Sequence, residues 1–198
     1  MKGKITVRRI FCACLVLFAK PVLADFSDGV LAYQQGDYAH AADEFKSSAQ
    51  FGNVTAQYNL GFMYAKGQGV PKNYNQAFFW FSRAAKNGDP ESQFHLAGMY
   101  ENGLGVEQDY YQAAKWYRKA AEQGEVNAQL TLGGLYGIGL GASQSYKQAY
   151  AWFNVAGLQG KESAVQGREV AMDAMSPQQL PDAQAFSEII VKKYFKPQ

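Results

Sequence analysis

Cysteine, histidine and charge are all scarce in this chain of 198 residues. There are two cysteines, Cys12 and Cys14, two histidines, and only 18% charged side chains. Two cysteines placed so close together near one end build neither a disulfide framework nor a multi-thiolate metal site. No apolar run approaches the ~20 residues that a spanning helix needs, which excludes a multi-span membrane protein. With 47% of residues apolar and 15% aromatic, disorder is excluded too, because such a chain is too greasy and too weakly charged to stay solvated.

The first residues read as an address. Lys2, Lys4, Arg8 and Arg9 precede the apolar stretch IFCACLVLFA, and Val22-Leu23-Ala24 ends in small residues before Asp25. A basic start, a short apolar core and an A-x-A-like site predict a secretory signal peptide over 1–24, cleaved near Ala24. Cys12 and Cys14 lie inside the apolar run, so they do not form a lipid-attachment site. Removing Lys2, Lys4, Arg8, Arg9 and Lys20 from 19 basic residues leaves 14 against 17 acidic ones, and no cysteine. The nominal charge of +2 thus becomes net acidic, which argues against nucleic acid as a partner. The mature chain is expected to contain no transmembrane segment, and to be exported to the periplasm or secreted.

What the sequence does have is internal repetition, with a period of 36 residues. In step recur Gln57/Gln93/Gln129, Leu60/Leu96/Leu132, Tyr64/Tyr100/Tyr136, Gly67/Gly103/Gly139 and Gly69/Gly105/Gly141. The second half of each unit repeats Ala77/Ala113/Ala149, Trp80/Trp116/Trp152 and Gly88/Gly124/Gly160. A period of 20–50 residues is the mark of a solenoid whose neighbouring units bury one another's faces. Ala56, Leu60 and Tyr64 fall on one face of a first helix, with Asn53 or Asp89 as cap and Pro90 in the first turn. A second helix opens at Asn73, Asp109 or Ser145, each followed three residues later by Gln76, Gln112 or Gln148, the spacing of a capping box. The Gly-x-Gly pairs between the helices read as tight turns; no strand precedes them, which argues against a phosphate cradle.

These residues reach a known pattern. The run A-Q-x-x-L-G-x-x-Y-x-x-G-x-G-V-x-x-[ND]-Y-x-x-A-x-x-W-[YF]-x-x-A-A-x-x-G resembles the Sel-one-like repeat (SLR), a relative of the tetratricopeptide repeat. Ala97, Ala142 and Val155 depart from it. The resemblance implies an all-α, right-handed α-solenoid of helix–turn–helix units. The expected organisation is a signal peptide at 1–24, a tetratricopeptide-like repeat at 25–51, three Sel-one-like repeats at 52–160 and capping helices at 161–198. In the last segment, Ser176-Pro177-x-Gln179 is expected to cap a helix running towards Tyr194, with Leu180, Ala183, Phe186 and Ile190 inward.

Catalytic material is thin. His40 and His95 occupy unrelated positions of different repeats, which gives neither a metal site nor a base–nucleophile pair. Some SLR proteins have been linked to cell-wall or β-lactam hydrolysis, but this chain shares neither their cysteine framework nor a Ser-x-x-Lys motif. No cofactor and no metal are expected, and the chain reads as a non-enzymatic scaffold or adaptor for a protein or peptide partner in the bacterial envelope or outside the cell. A secreted factor acting on host cells is the alternative, with a hydrolase behind it. In tetratricopeptide-like stacks the first helix of each unit lines the concave groove, so a partner is expected at the variable positions Tyr58, Phe62, Lys66, Phe94, Glu101 and Asn102. The competing reading of these rings is packing against the neighbouring repeat. A second candidate is Phe79 on the convex face, where the other units have Lys115 and Ala151.

Overall fold

A computed structural model describes residues 26–195, so the stretch expected to be a signal peptide, with Cys12 and Cys14, lies outside the described residues. Within them the chain runs through ten helices and no strand. A first pair, α1 (Phe26–Gln34) and α2 (Tyr38–Gln50), is followed by three units of equal helix length: α3 (Val54–Lys66) with α4 (Tyr74–Lys86), α5 (Pro90–Asn102) with α6 (Tyr110–Glu122), and α7 (Val126–Ile138) with α8 (Tyr146–Leu158). Two helices close the described chain, α9 (Glu162–Asp173) and α10 (Leu180–Tyr194). Each second helix packs on the first helix of its own unit and on that of the next, and α8 packs on both α9 and α10.

The joint between units has no spare residue. At the end of α4, the N–H of Gly88 donates to the carbonyl of Ala85 and that of Asp89 to Ala84, the two bonds of a Schellman motif. Asp89 then turns its carboxylate back to the N–H of Ser92 at 2.7 Å and caps α5. One residue therefore ends one helix and starts the next. Asn53 does the same before α3 and Glu125 before α7.

The capping box expected at the second helices is half made. Asn73, Asp109 and Ser145 each accept the N–H of the glutamine three residues on. Their own N–H groups, which the glutamine side chains were expected to satisfy, go instead to the carbonyls of Tyr64, Tyr100 and Tyr136 at the end of the preceding helix. The tight turn brings that backbone oxygen within reach first. Near the C-terminus the reverse half occurs. The N–H of Ser176 donates to the Gln179 side chain, and α10 begins only at Leu180. Ser176 is thus not the cap of α10, because Ser176–Gln179 forms a separate turn.

Glycine is required in the inter-helix loop for two reasons at once. Gly105 has φ +71°, and a Cβ there would lie 2.3 Å from the carbonyl oxygen of Tyr74 in the preceding unit. Gly69 and Gly141 make the same approach to Tyr38 and Tyr110. The loop of each unit thus rests on the start of the previous unit's second helix, a contact that only a missing side chain permits.

Between these joints lies the core. Leu60, Leu96 and Leu132 are at most 1% exposed, and Ala77, Ala84, Ala113, Ala120, Ala149 and Ala156 are fully buried. The recurring glutamine is buried with them. Gln57, Gln93 and Gln129 each donate from Nε2 to a carbonyl eight residues back, that of Ala49, Ala85 or Ala121, at 3.1 Å. In this way each unit is stitched by a desolvated hydrogen bond to the last turn of the helix before it.

Candidate functional site

The first helices line one side of the stack, and the variable positions on them meet there. Tyr58 and Phe62 of α3 and Phe94 of α5 are half-buried, and they close around His95, which was set aside as catalytic material. Its imidazole stacks on Phe81 with centroids 5.0 Å apart and planes 17° apart. The rings of Tyr58, Phe94 and Phe62 stand around it at 5.8, 5.6 and 6.2 Å. A hollow of about 400 Å³ opens beside this cluster, lined in part by Phe62, Lys66, Phe94, His95, Gly98 and Asn102. A second, of about 330 Å³, lies towards α1, where Tyr58 and Phe62 face Val30 and Tyr33. Phe62 borders both.

These rings face two ways. Tyr58 packs on Phe81 at 6.0 Å and Phe94 on Tyr117 at 5.6 Å, so one side of each ring belongs to the core. The other sides of Phe62 and Phe94 line the open hollow. Gly98 keeps the hollow open at that point, since a Cβ there would meet only the Tyr117 hydroxyl, at 3.4 Å.

Charges in the site are partly engaged already. The Lys66 ammonium lies 5.6 Å over the ring of Phe62. Glu101, one of the positions at which a partner is expected, accepts the Tyr117 hydroxyl with its carboxylate at 2.6 Å. The departure from the repeat pattern at Ala97 sits in the same unit: where the flanking units oppose glycine (Gly61, Gly133) to phenylalanine (Phe81, Phe153), this one has Ala97 and Tyr117. Asn102 donates to the carbonyl of Gly98 at 2.8 Å and remains exposed at the mouth.

Burial dominates the titration of the site. It pushes the Tyr58 phenol up to about 12, helped by the Glu91 carboxylate, and raises Tyr117, helped by its bond to Glu101. It holds the His95 imidazole below its ordinary range, with Lys66 acting the same way against Glu125. At neutral pH the ring cluster is therefore uncharged, and the cations Lys66 and Lys72 stand at the rim. Such a site is suited to burying apolar side chains of a ligand and meeting carboxylates or carbonyls at the edge. Among the described residues no group of three or more His, Cys, Asp or Glu side chains is placed to hold a metal ion, and no helix is long and apolar enough to cross a membrane.

The other side of the stack differs. Phe79 is 47% exposed, as the register predicts, with Trp80 edge-on at 4.9 Å and the Arg83 guanidinium 5.7 Å above it. Lys115 is likewise exposed, whereas Ala151, expected to face water at the equivalent position, is fully buried. The reason is α10, which turns back over α8. Lys147 meets Asp182 at 2.6 Å, Asn154 meets Ser187 at 3.0 Å, and Tyr194 stacks on Trp152.

Stacked helix pairs with a repeated, stitched joint and a ring-lined groove define an α-solenoid of the helix–turn–helix repeat class. Within that class, a family model described as the Sel1 repeat matches residues 54–89, 90–125 and 126–161, and the chain belongs to that family. Three solved structures are similar. A protective antigen of uropathogenic Escherichia coli displaying an SLR fold is 32% identical, with a TM-score of 0.78 over 87% of this chain and 39% of its own. A Sel1 repeat protein from Oxalobacter formigenes is 30% identical, with a TM-score of 0.72 over 82% of this chain and 69% of its own. Helicobacter pylori cysteine-rich protein B is 26% identical, with a TM-score of 0.51 over 63% of this chain and 95% of its own. The chain thus spans well under half of the first of these proteins. No curated protein matches it.

Proposed function

We propose that this protein is a non-enzymatic adaptor of the bacterial cell envelope that takes a partner's peptide segment into the groove formed by α3 and α5. Sel1-repeat proteins are generally protein-interaction modules, and the reading here adds the place and the surface. It is carried by one observation: the variable positions 62 and 94 place two rings beside an open hollow of about 400 Å³, while the repeat's own core is supplied by other residues. Burying one such ring contributes on the order of 1.5–3 kcal/mol, so two or three support micromolar binding after association entropy is deducted. Lys66, Lys72 and Asn102 at the rim set direction and register more than affinity. The envelope location rests on the address-like residues 1–24. Release outside the cell is the second reading, favoured by the similarity to a protective antigen.

The test begins in the envelope fraction, where the intact mass of the protein should start at Asp25, without lipid. A photo-crosslinking side chain at position 66, on the rim, identifies the bound segment, which is then titrated calorimetrically. Phe62→Ala with Phe94→Ala should weaken it by about tenfold or more. Unchanged affinity in the double variant overturns the groove, and a species retaining Cys12 or Cys14 overturns the export.

A further inference from the structure

We propose that the convex groove between α4 and α6 is a second docking surface, and that its occupant is an acidic amphipathic helix of a partner protein, seated as α10 of this chain is seated on α8. The inference goes beyond the adaptor reading above, since it concerns the opposite face and different residues.

The chain itself demonstrates that the outer face of a second helix accepts a helix. Helix α10 lies along α8 through an ion pair at Lys147, a hydrogen bond at Asn154 and a ring stack on Trp152, and Ala151 is sealed beneath it. The 36-residue register carries these positions to the preceding unit, where Trp116 matches Trp152 while Tyr111, Lys115 and Arg118 stand for Lys147, Ala151 and Asn154. Between α6 and α8, the Arg118 guanidinium lies on Tyr136 and donates to its hydroxyl, while Tyr194 covers Trp152. The two rings are only 3% and 4% exposed. Between α4 and α6 the matching rings are Tyr100 and Trp116, and both stay half-buried. Ser82 stands where Arg118 would fill the space, and a cavity of about 310 Å³ remains, walled by Phe78, Phe79, Tyr100 and Trp116. In one groove the protein's own side chains cover the two rings, and the hollow of about 250 Å³ that remains on α6 is walled by Lys115, Arg118 and Lys119; in its equivalent the rings themselves wall the cavity.

Charge gives the sign of the occupant. On α10 the Lys193 ammonium lies 4.8 Å over the ring of Tyr194, which stacks on Trp152, and α6 ends in Glu122. At the open groove the residue equivalent to Glu122 is Lys86, and it lines the cavity together with Arg83. Lys119 sits 4.3 Å over Trp116 at the far wall, where the filled groove has the uncharged Val155. A helix in the register of α10 must therefore bring acidic residues where α10 brings Lys192 and Lys193. A second copy of this chain would set its two ammonium groups against Arg83 and Lys86, the like-charge juxtaposition that excludes wrong partners. An aromatic anchor with acidic neighbours, on a helix laid into an apolar groove, satisfies both the cavity and its rim.

The probe is a labelled peptide with the sequence of residues 180–194, in its natural form and with Lys192→Glu and Lys193→Glu, titrated by fluorescence anisotropy against the full chain. The acidic form should bind about tenfold tighter than the natural one or better. Phe79→Lys, which copies the residue of the next unit, should weaken the acidic peptide by about tenfold, and Lys86→Glu should reverse the order of the two peptides. Phe62→Ala with Phe94→Ala should leave its affinity unchanged, so failure of the concave reading and failure of this one are separable. The proposal is overturned if the acidic peptide fails to bind, if both peptides bind alike, or if Phe79→Lys has no effect. Tighter binding of the natural peptide assigns the groove to a second copy of this chain and equally overturns it.

Discussion

The joint where α6, α7 and α8 meet and the joint where α2, α3 and α4 meet are built from the same parts, yet only the first is complete. In both, a buried glutamine donates to the end of the preceding helix, Gln129 to Ala121 and Gln57 to Ala49. Gln129 also accepts from Gln159 at 2.6 Å, as Gln93 accepts from Gln123 at 2.8 Å. The residue in that register behind Gln57 is Asn87, one methylene shorter, and the buried Oε1 of Gln57 has no partner. The apolar signatures of the units are nearly interchangeable, and their polar stitching is not. Hydrophobic residues bring neighbouring units together, while the desolvated amides grade how firmly each joint holds.

Breaking the complete joint should have the largest effect. Gln129→Leu removes one of two hydrogen bonds at the Ala121 carbonyl, which keeps the Gly124 N–H, and the shorter of two at the Gln159 amide, and is expected to cost about 1–3 kcal/mol. Gln57→Leu removes one hydrogen bond at the Ala49 carbonyl, which keeps the Gly52 N–H, and takes away an unsatisfied oxygen, so its cost should be smaller, about 0.5–1 kcal/mol. Urea denaturation of the two variants decides it; equal losses would show that the second hydrogen bond contributes nothing.

Completing the weak joint comes next. Asn87→Gln restores the side-chain length found at 123 and 159 and should stabilise the protein by about 0.5–1.5 kcal/mol, read as a higher urea midpoint at unchanged slope. A lower midpoint would mean that length is not what separates the two joints.

The smallest effect is in acid. His95 stands where the flanking units have Asn59 and Thr131, so only the middle unit buries a group that titrates near neutrality in its ring cluster. Burial lowers its pKa, so the unfolded chain takes up a proton that the folded chain refuses. The associated stability is whole above the unfolded value of about 6.5 and is lost as the pH falls through it towards the folded pKa. The Tm should therefore drop between about pH 7.5 and about pH 5.5, and His95→Asn should lessen that drop. An identical drop in the variant would place the acid sensitivity elsewhere.

Much of this architecture was legible from periodicity. The helices whose caps were read at Asn53, Asn73 and Asp89 are found at Val54–Lys66, Tyr74–Lys86 and Pro90–Asn102, because those caps fix where each begins and the apolar spacing carries it on. The rings of the candidate groove were legible too, as departures from the repeat at 58, 62 and 94. What escaped were relations that only the stacked structure creates. Gln57, Gln93 and Gln129 were visible as a recurrence, but the carbonyl each one meets lies in the previous unit. His95 was weighed for catalysis and set aside, although its position between Phe94 and the facing Phe81 makes it the centre of the ring cluster. The reversal of α10 over α8 left no sequence signal beyond an amphipathic face, and that face does not say which surface it will cover.

The residue shared by two helices at each joint has a consequence for how such a chain can change length. Asp89 closes the Schellman motif of α4 and caps α5, so none of the three residues between the helices is spare. A seam of that kind has no slack to absorb a frame error: one inserted residue would have to break either the closing bond or the cap. Growth or loss is then free of strain only by whole units of 36 positions, each bringing its own shared residue and its own pair of faces. Copy number becomes a setting that lengthens both faces together, by counting units rather than by reshaping any of them.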